Sequence, residues 1–105
     1  MEKMSTNEKQ ASRIEQVCFM NMCMICDNAG NVLALDKVND SYTGTTFPGG
    51  HVEKNEIFND SIIREVWEET GLKIESPKLR GVYLGIGMAF IMYFFSIKQR
   101  NFQAS

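Results

Sequence analysis

The sequence predicts a single small domain of the α/β (α+β) class, and three observations carry that expectation. Between Ile57 and Thr70, apolar Phe58, Ile62 and Val66 recur at i, i+4 and i+8, and Gly71 follows where a C-terminal cap belongs, which is the pattern of an amphipathic helix. Runs rich in β-branched, aromatic and methionine residues, Val17–Cys26 and Phe90–Ile97 above all, are set off by turn-forming residues and read as strands. With 105 residues, 44% hydrophobic and 23% charged, the chain holds material for one modest core.

In chain order, residues 1–13 are polar and without period, so they predict a flexible lead-in to a domain spanning 14–105. Val17–Cys26, the turn residues Asp27 to Asn31, and Val32–Leu35 predict a β-hairpin. Within its first strand Met20, Met22 and Met24 share one face and are expected in the core or lining a pocket. Asn21 lies on the other face, where its amide is a weak candidate for binding a substrate base edge. Asn39 to Gly44 reads as loop, Phe47-Pro48-Gly49-Gly50 as a break, His51-Val52-Glu53 as a short extended piece and Lys54-Asn55 as a turn. After the helix, Leu72–Glu75, Gly81–Ile86 and Phe90–Ile97 predict strands, with a turn over Gly85 to Met88.

The formal net charge is −2, which argues against a grip on nucleic acid polymers or anionic membrane. Charge is unevenly spread: all 13 Asp and Glu precede residue 76, whereas Lys78, Arg80, Lys98 and Arg100 follow it. The greasy stretch Val82–Ile97 is broken by Gly85 and Gly87 and falls short of the roughly 20 residues of a membrane helix. Three cysteines make no disulfide framework, and no secretory leader opens the chain, so a cytoplasmic location is expected. Cys23-x-x-Cys26 is no metal pair, because strand residues i and i+3 face opposite ways.

Chemistry concentrates on the helix. Glu65, Glu68 and Glu69 fall at i, i+3 and i+4, so three carboxylates share a face beside the apolar stripe. Like charges so close ask for a cation, and hard oxygen donors suit Mg²⁺ or, alternatively, Mn²⁺. A plain solvated acidic face, with Arg64 and Glu68 as an i, i+4 pair, is the competing reading. Context decides against it: Gly50, five residues, Glu56, seven residues, then Arg64-Glu65-Val66-x-Glu68-Glu69-x-Gly71-Leu72 would arise by chance on the order of once in 10⁹ positions.

That 50–72 pattern resembles the signature of the Nudix hydrolase family. The wording FPGGHVEKNE…REVWEETGL is most similar to bacterial MutT-like nucleoside triphosphatases, including the 8-oxo-dGTP diphosphatase type. The resemblance implies an α/β/α sandwich with a mixed sheet, here truncated at its C-terminal end. It implies metal ligation by Glu65, Glu68, Glu69 and the Gly50 carbonyl, with Arg64 and Glu56 orienting the acids and Glu65 as general base. Gly49 and Gly50 would let the backbone approach ion and diphosphate, and His51 would be a supporting polar contact outside the catalytic set. The implied reaction is Mg²⁺-dependent hydrolysis of a nucleoside triphosphate, or a related nucleoside diphosphate compound, to monophosphate and pyrophosphate. Alternatives are a hydrolase of a nucleoside diphosphate-linked moiety such as ADP-ribose, and a non-catalytic nucleotide-binding module. Unlike many relatives, no acid follows Glu75. A homodimer sharing strands is the arrangement that would complete so short a chain.

Overall fold

The computed structural model describes residues 6–38, 43–85 and 89–99. The readings made for Asn39 to Tyr42, for Ile86 to Met88 and for the tail from Arg100 lie outside the described residues. The elements in order are α1 (Thr6–Arg13), β1 (Cys18–Cys26), β2 (Leu35–Val38), β3 (Thr43–Thr46), β4 (Gly49–His51), α2 (Phe58–Thr70), β5 (Lys78–Gly85) and β6 (Phe90–Lys98). Strands β4-β1-β6-β5 form one mixed sheet, in which β1 and β6 are parallel and the outer pairs antiparallel, while β2 and β3 make a separate two-stranded ribbon. The expected mixed α+β class with a mixed sheet is therefore found.

Helix α2 forms where the period placed it, and Gly71 closes it at φ 75°, its N–H donating to the Trp67 carbonyl. Ile62 and Val66 are fully buried against β1 and β6, where they meet Cys23, Ile25 and Phe95. Burial of each such side chain contributes about 1.5–3 kcal/mol. At one end of this core Phe58 of α2 stacks on Tyr93 of β6, ring centroids 4.1 Å apart, with Phe19 of β1 edge-on to Phe58 at 5.5 Å. These rings extend the α2–strand packing beyond the buried Ile62 and Val66.

Several expectations are corrected. Residues 6–13 form α1, exposed along its described side chains, in which Glu8 and Arg13 sit at the ends that suit the helix dipole. The hairpin after β1 is only a stub: Cys26 bridges Val32 and the Leu33 N–H donates to the Ile25 carbonyl, after which the chain leaves β1 and β2 pairs with β3. Thr43 and Gly44, read as loop, belong to β3. The extended piece after the break starts at Gly49, two residues early, because its backbone pairs with β1 through Met22↔Gly49 and Met20↔His51. Leu72–Glu75 is not a strand, although Leu72 and Ile74 alternate into the core as expected of one.

The face assignment of β1 is inverted as well. Asn21, Cys23 and Ile25 point at α2 and are buried, whereas Met20, Met22 and Met24 lie on the other face with Met92 and Phe94. Cys23 behaves as a small core residue, burial pushing its thiol up to about 12, while Cys18 is exposed and Cys26 half-buried. Timed alkylation of the folded chain with peptide mapping is expected to modify Cys18 first and to leave Cys23 untouched until denaturant is added.

Candidate functional site

The site grows from the turn before α2. Asn55 takes φ 65°, which folds residues 53–56 back so that the Glu56 carboxylate accepts the Glu53 N–H at 3.1 Å. Glu56 thereby faces the first two turns of α2, where Arg64 meets it with both prongs of the guanidinium, Nε to Oε2 at 2.7 Å and Nη2 to Oε1 at 3.0 Å. The same guanidinium donates through Nη1 to Glu65 Oε1 and Glu68 Oε2, each at 3.1 Å, and through Nη2 to the His51 carbonyl at 3.2 Å. One arginine therefore ties β4, the turn and three acids together.

Glu69 is held separately. Its Oε1 accepts the Gly49 N–H at 3.3 Å and its Oε2 lies 3.3 Å from Lys37 Nζ on β2. Gly50 sits against Glu65: a Cβ added there would lie 2.7 Å from the carboxyl atoms, so the missing side chain is what lets this acid reach the strand. Arg64, Glu56, Glu65, Glu68, Glu69, Gly49 and Gly50 are thus brought to one place, with Lys37 as a member that sequence reasoning missed. Nothing local in the sequence signals Lys37, because its position depends on the ribbon folding back over α2. Asn21 is 1% exposed and its amide points into the protein, so it offers no edge to a ligand. His51 enters through its backbone carbonyl.

The charges differ in their setting. Arg64 holds the Glu56 carboxyl down to about 2, well below its ordinary value of 4.5. Glu65 is raised, first because burial penalises its charge and then by repulsion from Glu68 and Glu69, with Arg64 opposing both effects. A depressed carboxylate adds stability that is fully present above its ordinary value and drains away as pH falls through the folded one. Glu56→Gln is therefore expected to lower stability at neutral pH and to flatten the loss between pH 4.5 and 2 in acid titrations of unfolding.

Among the described residues, no three acid, histidine or cysteine side chains already surround a single point as a metal cage. The acids are paired with cations instead, Glu65 and Glu68 with Arg64, which Glu56 also shares, and Glu69 with Lys37, so the cluster keeps a net negative charge. The donor set still fits a hard divalent ion: three carboxylates on one helix face, beside a glycine whose missing Cβ lets Glu65 approach the strand.

The NUDIX domain family matches residues 21–103. YtkD of Bacillus subtilis, whose 8-oxo-dGTP diphosphatase assignment is itself provisional, is 34% identical over 85 residues, covering 77% of this chain and 52% of that one. An ADP-ribose pyrophosphatase of Methanocaldococcus jannaschii is 35% identical over 60 residues, 56% of this chain and 36% of the relative. The chain thus spans about half or less of these curated relatives. Among solved structures, a MutT protein from Bacillus halodurans superposes with a TM-score of 0.63 at 26% identity, covering 79% of this chain and 57% of that one. The family match runs from within β1 through the ribbon, β4, α2 and both later strands, taking in Glu56, Arg64 and the three acids of α2, and the chain belongs to the Nudix family.

Proposed function

We propose that this chain is a Mg²⁺-dependent pyrophosphohydrolase acting on a nucleoside triphosphate or related nucleoside diphosphate compound. The observation that carries the reading is the Arg64 hub, which holds Glu56, Glu65 and Glu68 at 2.7–3.1 Å beside the Gly50 cradle. Glu65, Glu68, Glu69 and the Gly50 carbonyl would hold the divalent ion, which when bound neutralises diphosphate oxygens and activates water. Glu56 keeps Arg64 in place, and Arg64 keeps Glu65 and Glu68 in fixed rotamers. Glu65, the most enclosed of the three acids, is the base that takes the proton of the attacking water. Lys37, which pairs with Glu69 at 3.3 Å, would offer a positive charge beside the acids to an anionic substrate.

Two relatives point to two substrates, an oxidised purine deoxynucleotide and ADP-ribose. The first is favoured, because the FPGGHVE stretch leading into the signature and the signature itself are worded as in MutT-like proteins. Chromatographic product analysis with Mg²⁺ separates them: 8-oxo-dGTP is expected to give monophosphate and pyrophosphate faster than ADP-ribose gives AMP and ribose phosphate. The reverse order would transfer the assignment to the sugar-linked substrate. A cytoplasmic setting suits the three free thiols. No helix among the described residues is long and apolar enough to cross a membrane.

A further inference from the structure

A polar residue in the middle of the apolar run VCFMNMCMIC calls for a physical reason, since a buried amide is costly unless every donor and acceptor is met. Asn21 is 1% exposed and Ser61, opposite it on α2, is fully buried. Asn21 Nδ2 donates to Ser61 Oγ at 2.6 Å, and Asn21 Oδ1 accepts the Gly50 N–H at 3.0 Å. Among the described residues no buried side-chain polar atom is left without a partner.

The two bonds join a larger ring. Ser61 Oγ accepts from Asn21 and so fastens the Asn21 amide to α2, the helix that also carries Arg64. Glu56 binds Arg64, and Arg64 returns to the strand at the His51 carbonyl, one residue from Gly50. Consecutive residues of β4 are therefore gripped from two sides, Gly50 through Asn21 and His51 through Arg64.

We infer that Asn21 and Ser61 are positioning residues that fix the Gly50 peptide, and with it the Gly50 carbonyl, at the distance from Glu65, Glu68 and Glu69 that a divalent ion requires. The role rests on the metal site proposed above. Neither residue touches substrate or ion; Asn21 acts through Gly50, and Ser61 acts through Asn21. The parallel pairing of β1 with β6 fixes the strand face, and only on that face can an Asn reach α2 and β4 at once.

The test uses the whole chain with Asn21→Leu, which keeps the branched four-atom skeleton and removes the amide, Ser61→Ala, and Ile25→Val as a core control on the same strand. Mn²⁺ affinity is read by electron paramagnetic resonance, Gly50 amide exchange by NMR and stability by thermal unfolding. Expected are at least a tenfold weaker Mn²⁺ Kd and faster Gly50 exchange in Asn21→Leu, a smaller shift of both in Ser61→Ala, and wild-type affinity in Ile25→Val despite a lowered Tm. Wild-type Mn²⁺ affinity in folded Asn21→Leu would overturn the positioning role alone. So would equal losses of affinity in Ile25→Val and Asn21→Leu at matched Tm, which would reduce Asn21 to a general stability element. A wild-type chain that binds no Mn²⁺ would overturn the metal site itself and this role with it.

Discussion

Glu68→Gln is expected to abolish metal-dependent turnover while leaving the fold intact. Its side chain is 54% exposed and it pairs with Arg64 at 3.1 Å. An isosteric amide there changes stability by no more than about 0.5 kcal/mol, the usual range for an exposed position. The carboxylate's worth lies in charge: losing one ligand forfeits several kcal/mol of transition-state stabilisation, which at 1.36 kcal/mol per decade is about a thousandfold in rate. Initial rates at saturating Mg²⁺, with circular dichroism melts on the same samples, check both halves. A variant that keeps a tenth or more of wild-type activity would remove Glu68 from the ligand set.

The neighbouring glycines should separate folding from function. Gly49→Ala drives its Cβ into the Asn21 carbonyl, with the Asn21 carbonyl carbon and Met22 Cα at 2.8 Å, and none of these backbone atoms can yield without breaking the β1–β4 pairing. A loss of about 3 kcal/mol is expected, the upper part of the range for overpacking, and chemical denaturation will read it. Gly50→Ala meets only the end of the Glu65 side chain, at 2.7 Å, which can swing aside. That variant should fold nearly as well as the parent yet bind Mn²⁺ about 10–100-fold more weakly, the scale of damage seen when groups that orient metal ligands are disturbed. Equal effects of the two substitutions on stability would contradict the assignment of separate roles.

The sequence was most legible where one physical rule acts alone. Helix α2, its glycine cap and the clustering of Glu65, Glu68 and Glu69 follow from a 3.6-residue period and need no knowledge of distant partners. Family resemblance implied that Arg64 and Glu56 orient the acids, but not that they bind each other, since Glu56 precedes the helix and reaches Arg64 only through the turn at Asn55. Strand β1 was legible as a strand but not in orientation: both faces of VCFMNMCMIC are largely apolar, one with Met20, Met22 and Met24 and the other with Phe19, Cys23 and Ile25, and which one is core depends on β6 and α2 arriving from elsewhere. Asn21 fell on the buried face for the same reason, and the signal that could have revealed it is Ser61, a second polar residue beside Phe58 and Ile62 on the core side of the helix. Leu72 and Ile74 alternate like a strand because they fill the core, yet alternation alone supplies no neighbouring strand to pair with.

The most direct test of the central claim is pyrophosphate release by the purified wild-type chain from 8-oxo-dGTP and dGTP, measured with Mg²⁺ and then with a chelator. Arg64-oriented acids awaiting a divalent ion predict release that depends wholly on Mg²⁺ and stops when the chelator is added. Release that continues at the same rate in chelator, or a folded chain that binds Mn²⁺ and releases none from either nucleotide, would contradict it.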